Sequence, residues 1–210
     1  MNRFPTTTVS PFISVFFFLA ALVLVPAVGH AVPAVGDTAP AFQLLGADGR
    51  EHSLAESDGK IVVLEWLNHG CPFVRKHYES GNMQSLQKKY TGQGVIWYSI
   101  VSSAPGKQGH CETDEAAAQE IDHDSAASAV LLDPEGVVGR AYGARTTPHM
   151  FVVAADGKLA YKGAIDDTPS ADPNDVAEAK NYVSAAVDAL LAGDAVAEVT
   201  TTPYGCSVKY

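Results

Sequence analysis

The chain has 210 residues, with 14 Lys and Arg against 24 Asp and Glu and a formal net charge of −10. An acidic chain without a basic run makes a poor partner for nucleic acid, and none is expected. The three cysteines, Cys71, Cys111 and Cys206, are an odd number that leaves one thiol over, and their spacing fits no zinc ribbon.

Residues 1–31 read as an export signal. Asn2 and Arg3 give a weakly basic start, residues 11–25 an apolar centre, and Gly29 and Ala31 the small residues of a cleavage site. The apolar run stops at Pro26, short of the ~20 residues a membrane span needs. Cleavage after Ala31 is expected to leave a periplasmic or secreted product with no stable membrane association. No cysteine follows the cut to carry a lipid.

Residues 41–45 and 51–54 flank Gly46-Ala-Asp-Gly49, a hairpin pattern with an Asp-Gly turn. Residues 60–66 have few polar side chains, as a strand covered on both faces would. Residues 72–90 read as a helix that turns Phe73, Val74, Tyr78, Met83 and Leu86 to the core, with a kink at Gly81-Asn82. Residues 94–101 form a second buried strand, 102–109 a polar loop and 111–121 a helix. A short strand over 130–133 precedes Pro134 and a helical segment over 137–142. Residues 149–154 and 158–162 make a hairpin around Asp156-Gly157. The last helix spans 175–191, between Pro173 and Gly193, and the tail over 195–210 is extended. Strand–helix alternation ending in a hairpin and a helix indicates a layered α/β domain. Its expected span is 32–193, with 194–210 as a tail that carries Cys206.

Cys71 stands where an apolar strand gives way to a helix, with Pro72 at the first helical position, where its missing N–H costs nothing. A thiol there meets unpaired N–H groups and the positive end of the helix dipole, and Arg75 lies one turn on. Both effects favour the thiolate, the reactive form. No Cys-x-x-Cys exists, because positions 68 and 74 are Asn and Val, and Arg75 rules out a Cys-x-x-x-Cys pair.

The runs 66–78 (through Asn68-His-Gly-Cys-Pro-Phe-Val74), 103–107, 146–152 (Thr146-Thr-Pro-His-Met-Phe-Val152), 163–167 and 203–210 together resemble the thioredoxin-fold redoxins. They come close to the alkyl hydroperoxide reductase/thiol-specific antioxidant family, that is, the peroxiredoxin-like proteins. The resemblance implies a three-layer α/β fold with a central mixed sheet flanked by helices, an N-terminal hairpin and an extended C-terminal tail. It also implies a cis peptide between Thr147 and Pro148 in the loop facing Cys71. The implied activity is that of an antioxidant thiol oxidoreductase, acting on peroxide or a protein disulfide and recharged by a thiol donor. Two positions depart from true peroxiredoxins. Asn68 stands at the Thr position and Pro148 where an Arg is expected, so slow peroxide turnover is expected, with Asn68, Arg75 or Arg145 as substitutes. Glu65, under the site in such folds, is a candidate proton acceptor or a salt-bridged strand residue.

Several assignments stay open at this level. Cys206 either resolves an oxidised Cys71 or clamps the tail, with Cys111 as the other possible partner of either cysteine. His69 is either a proton shuttle for Cys71 or a solvated loop residue, and His77 reads as structural. A Cys71–His69–His149 set has the ligand chemistry for copper or zinc, although no resident cofactor is expected. Asp166-Asp167 is a solvated turn or a Ca²⁺ pair. The competing function is a non-catalytic thioredoxin-fold module that binds copper or a partner protein.

Overall fold

The computed structural model describes Met1 and residues 31–210; the export-signal reading falls almost wholly on residues 2–30 and so outside the described residues. The apolar runs form the centre of a seven-stranded mixed sheet. Strands β1 (Gln43–Gly46), β2 (Glu51–Ser53), β3 (Val62–Trp66), β4 (Ile96–Val101), β5 (Ala129–Leu132), β7 (His149–Val153) and β8 (Leu159–Gly163) take the order β2-β1-β5-β4-β3-β7-β8. β3, β4 and β5 run parallel, while β7, β8 and the β1–β2 hairpin run antiparallel at the two sides. Every residue of β3 and β7 is buried, which is why these strands read as continuous apolar runs rather than alternating ones. A further two-stranded ribbon joins β6 (Thr146–Thr147) to β9 (Cys206–Ser207). This is the thioredoxin-like arrangement, with a mixed sheet between helices.

Strand alternation divides the core in two. On one face Val63, Leu67, Trp97, Met150 and Val152 pack under helices α1 (Pro72–Glu79), α2 (Asn82–Thr91), α3 (Thr113–Asp122) and α5 (Tyr182–Ala192). On the other, Trp66, Ile100 and Phe151 meet α4 (Val137–Tyr142) and the lead-in through Ala39 and Phe42.

Two helices differ from the sequence expectation. The single helix over 72–90 is broken outright rather than kinked, because Gly81 takes a left-handed φ of +72° that ends α1 and starts α2. The last helix begins at Tyr182, not at 175. The Asn181 side chain accepts the Ser184 N–H at 2.8 Å and caps α5 there, and residues from Pro173 to Ala177 form a separate 3-10 turn.

Glu65 is fully buried in β3 and has no ion-pair partner among the described residues. Its carboxylate accepts from Tyr78 Oη (3.0 Å), Gln87 Nε2 (3.3 Å), Trp97 Nε1 (2.9 Å) and Ser99 Oγ (2.8 Å). Burial pushes its pKa up against the pull of these four donors. The carboxylate thereby crosslinks β3, β4, α1 and α2. Glu65→Leu would strand several buried donors at once and is expected to cost about 3 kcal/mol or more in urea denaturation. Arg75→Gln, on the exposed face of α1, should stay within about 0.5 kcal/mol.

Candidate active site

Cys71 caps α1 in an extended conformation (φ −85°, ψ 125°) with Pro72 at the first helical position, as the strand-to-helix pattern requires. Its thiol is fully buried. The S–H donates to the Thr147 carbonyl at 3.0 Å, across the cis Thr147–Pro148 bond from α1. The backbone N–H of Cys206 donates to Cys71 Sγ at 3.4 Å. Burial opposes ionisation, but the Cys206 thiol and N–H, the Val74 N–H and the Thr147 side chain together bring the Cys71 pKa below its ordinary value. The Thr147 hydroxyl is buried without a hydrogen-bond partner among the described residues, and its effect on Cys71 is to favour the thiolate. Cys206 moves the other way, pushed up to about 11 by burial and by the neighbouring Cys71. The two thiols are thus shifted in opposite directions, Cys71 toward the thiolate and Cys206 toward the protonated thiol. All three cysteines are free.

The tail that brings in Cys206 is fastened at each step. The Thr201 hydroxyl accepts from Ala164 N at 2.9 Å and shares a 2.6 Å hydrogen bond with Tyr161 Oη. Thr147 pairs with Cys206 and Thr146 with Ser207. Beyond them Val208 N donates to Arg145 O (3.0 Å), Ala104 N to Lys209 O (2.8 Å) and Tyr210 Oη to Ala144 O (2.8 Å).

Two residues before Cys206, the Tyr204 hydroxyl donates to Asp166 Oδ1. Asp166 is buried and not part of a solvated turn or a Ca²⁺ pair, because the fully buried Lys76 ammonium sits 3.3 Å from its other oxygen. Lys76 also donates to Thr168 O at 2.7 Å. Asn82 Nδ2 donates to His77 Nδ1 at 2.9 Å, which leaves the proton on Nε2, 3.2 Å from Tyr204 Oη. The chain His77, Tyr204, Asp166, Lys76 ties the tail to α1. Lys76 and Tyr204 lie within the runs 66–78 and 203–210 that carry the resemblance, but neither stands out as a site residue in the sequence, since a lysine in an amphipathic helix and a tyrosine in a tail read as surface residues.

The remaining candidates lie apart from the thiol. Asn68 is buried in the loop before Cys71, where its Oδ1 accepts Gly70 N at 2.9 Å and one hydrogen of its Nδ2 donates to Gln108 O at 3.2 Å, so its amide shapes the loop. His69 is half-buried; it stacks on His123 with centroids 3.8 Å apart and meets the edge of Tyr78. Arg75 is exposed, and it is not among the groups acting on the sulfur. His149 belongs to the opposite face of the sheet, because it aligns with Trp66 and Phe151, so Cys71, His69 and His149 form no ligand set. Among the described residues no group of three His, Cys, Asp or Glu is placed to hold a metal. Cys111 is buried elsewhere and pushed up to about 11 by burial, Glu115 and Glu112. No helix of the described residues is long and apolar enough to cross a membrane.

The chain matches the Redoxin family over residues 34–182. It is 29% identical over 126 residues to the thiol-disulfide oxidoreductase ResA of Geobacillus thermodenitrificans, covering 60% of this chain and 67% of that protein. Two crystal structures share most of the architecture. A hypothetical protein of Sinorhizobium meliloti is 26% identical with a TM-score of 0.72, covering 85% of this chain and 95% of its own. An uncharacterized conserved protein of Geobacillus kaustophilus is 26% identical with a TM-score of 0.73, covering 86% and 93%.

Because the tail seals Cys71, its alkylation requires tail opening. Tyr204→Phe removes a hydrogen bond to a carboxylate, worth about 1.5–3 kcal/mol, and should speed iodoacetamide modification of Cys71 by roughly tenfold or more while leaving Cys111 unchanged. Equal Cys71 rates in the two proteins would mean that the sulfur is reached without moving the tail.

Three histidines are buried in neutral form. Burial lowers His69 and His149 to about 3 and His77 to about 4. Positive neighbours add to the shift: His123 at His69, Lys76 at His77 and Arg145 with Lys162 at His149, with Asp166 opposing at His77. Their folded pKa values lie below the unfolded value, so the unfolded chain binds the extra protons. The stability they contribute is full above about pH 6.5 and is lost as pH falls toward 4 and then 3, by up to about 1.4 kcal/mol per pH unit for each. The raised carboxyls of Glu65 and Glu120 act in the opposite sense and offset part of this loss. Thermal melts should show Tm falling steadily from pH 6.5 to 4; a flat profile would mean that these rings are charged in the fold.

Proposed function

We propose that this chain, which belongs to the Redoxin family, is an exported thiol-disulfide oxidoreductase that cycles Cys71 and Cys206 between dithiol and disulfide. The observation that carries the reading is the pairing of Thr147 with Cys206, which sets the Cys206 N–H on Cys71 Sγ and leaves the two thiols with opposite pKa shifts. The similarity to a thiol-disulfide oxidoreductase supports the same class, and the apolar N-terminal segment supports export.

In the forward step the Cys71 thiolate attacks one sulfur of a partner disulfide. A mixed disulfide forms, and one partner thiolate leaves. Loss of the charge on Cys71 removes one cause of the raised Cys206 pKa, so Cys206 ionises more easily at that point. It then attacks Cys71 Sγ, expels the second partner thiolate and leaves a Cys71–Cys206 disulfide. The partner gains two electrons, and an external thiol donor returns them to the protein.

Peroxide is a slower substrate of the same pair. Cys71 attacks one peroxide oxygen, the other departs as water or alcohol, and Cys206 condenses with the sulfenic acid with loss of water. The Thr147 hydroxyl supplies one donor at the sulfur. No guanidinium joins it, and donors of this kind are worth about 10²–10³ in rate where measured singly. The alternative of a non-catalytic binding module predicts no turnover at all.

With glutathione disulfide as the oxidant, Cys71→Ser should abolish reduction. Cys206→Ser should stall as a mixed disulfide on Cys71, detected by intact mass. Non-reducing peptide mapping of oxidised wild-type protein should give Cys71–Cys206. Full turnover by Cys206→Ser, or a Cys111–Cys206 bond that persists while activity is regenerated, would make Cys206 a clamp and overturn the two-cysteine cycle.

A further inference from the structure

A cavity of about 540 Å³ opens on the side of the sheet away from Cys71, between α4, β7, β8 and the incoming tail. Its volume lies in the range of roughly 300–1,000 Å³ typical of small-molecule sites. In a chain of net charge −10, the walls gather Arg140, Arg145 and Lys162 and contain no Asp or Glu side chain. Among the described residues none of the three is in an ion pair, and residues 2–30 contain no Asp or Glu that could supply one.

The cations differ in how far they are committed. Arg140 lies over the Tyr210 ring, 4.6 Å from its centroid, and Lys162 donates to Pro33 O at 2.7 Å. The Arg145 side chain is exposed and without a partner among the described residues, so its planar fork is free for a carboxylate. Beside it His149 is 4% exposed, and its Nδ1 accepts the Arg145 N–H at 3.2 Å. That bond fixes the proton on Nε2, and no described protein group accepts it. An N–H donor without a described partner, on a side chain that is 4% exposed and lines a wall of uncompensated positive charge, points to an anion as its acceptor. Phe151 and Pro203 make the neighbouring wall apolar, which suits an organic acid better than an inorganic anion.

We propose that this cavity binds a small organic carboxylate, its charged end held by Arg145, Lys162 and the Nε2–H of His149 and its body lying against Phe151 and Pro203. The thiol pair plays no part in this site.

Calorimetric titration of the purified protein at low salt, with benzoate and separately with inorganic phosphate, tests it. Benzoate should bind with a Kd of about 1 mM or tighter, and binding should move the His149 imidazole resonances in an NMR spectrum. Arg145→Gln should weaken binding by about tenfold or more, with the unliganded Tm unchanged because the side chain is exposed. Lys88→Gln, an exposed cation paired with Asp124 elsewhere, should bind as wild type. Cys71→Ser should also bind as wild type, which separates this site from the redox reading. Absence of benzoate binding, equal affinity in Arg145→Gln, or binding of phosphate without benzoate would each overturn the proposal.

Discussion

Two rungs of antiparallel ladder, Thr146 with Ser207 and Thr147 with Cys206, join the C-terminal tail to the loop before β7. The approach is possible because residue 205 is glycine: its φ is +131°, and a Cβ there would lie 2.2 Å from the Thr147 carbonyl oxygen. That contact places Cys206 on Cys71, buries the Cys71 sulfur and gives Thr147 two roles, its carbonyl toward the thiol and its hydroxyl toward the thiolate. Had the tail lain elsewhere, Cys71 would be an open helix-capping thiol without a resolving partner.

The same contact is reinforced by charge. Lys76 and Asp166 are both withdrawn from water, a step that costs several kcal/mol per ion unless the pair is close and fully hydrogen bonded. Here Thr168, Tyr204 and His77 surround them, so the cluster depends on the tail being in place. Removing Tyr204 from the cluster leaves a buried carboxylate with one donor fewer. Opening of the tail is thereby coupled to the electrostatics of α1, the helix that Cys71 caps. The closed state is a well-satisfied one, and access to the sulfur has a free-energy cost set by this cluster more than by the two short strands.

A second organising constraint is the two-residue alternation of β3 and β7. Glu65 and Met150 project toward α1 and α2, whereas Trp66 and His149 project the other way. One molecule therefore has two chemically distinct sides around a single loop: a low-polarity thiol pair on one and a positively charged cavity on the other. Thr147 and His149, two residues apart, serve different sides.

The sequence by itself determined the main sheet strands and the capping position of Cys71. Short apolar runs bounded by turn residues suit covered strands, Asp-Gly pairs can close hairpins at little strain, and a Cys before a Pro at a strand end has little choice but to face a helix N-terminus. These are local constraints, carried by neighbouring residues. What only the tertiary structure decided is which distant groups share the low-dielectric space around each side chain. Arg75, His69 and Asn68 are near Cys71 in sequence but turn to solvent, to His123 and to Gln108, whereas Thr147 and Cys206, 76 and 135 positions away, supply its hydrogen bonds. Lys76 and Asp166 could be recognised as a buried pair only once packing had removed the water between them. Charge and hydrogen-bond partners are properties of three-dimensional proximity, and a linear pattern of residue types does not encode them.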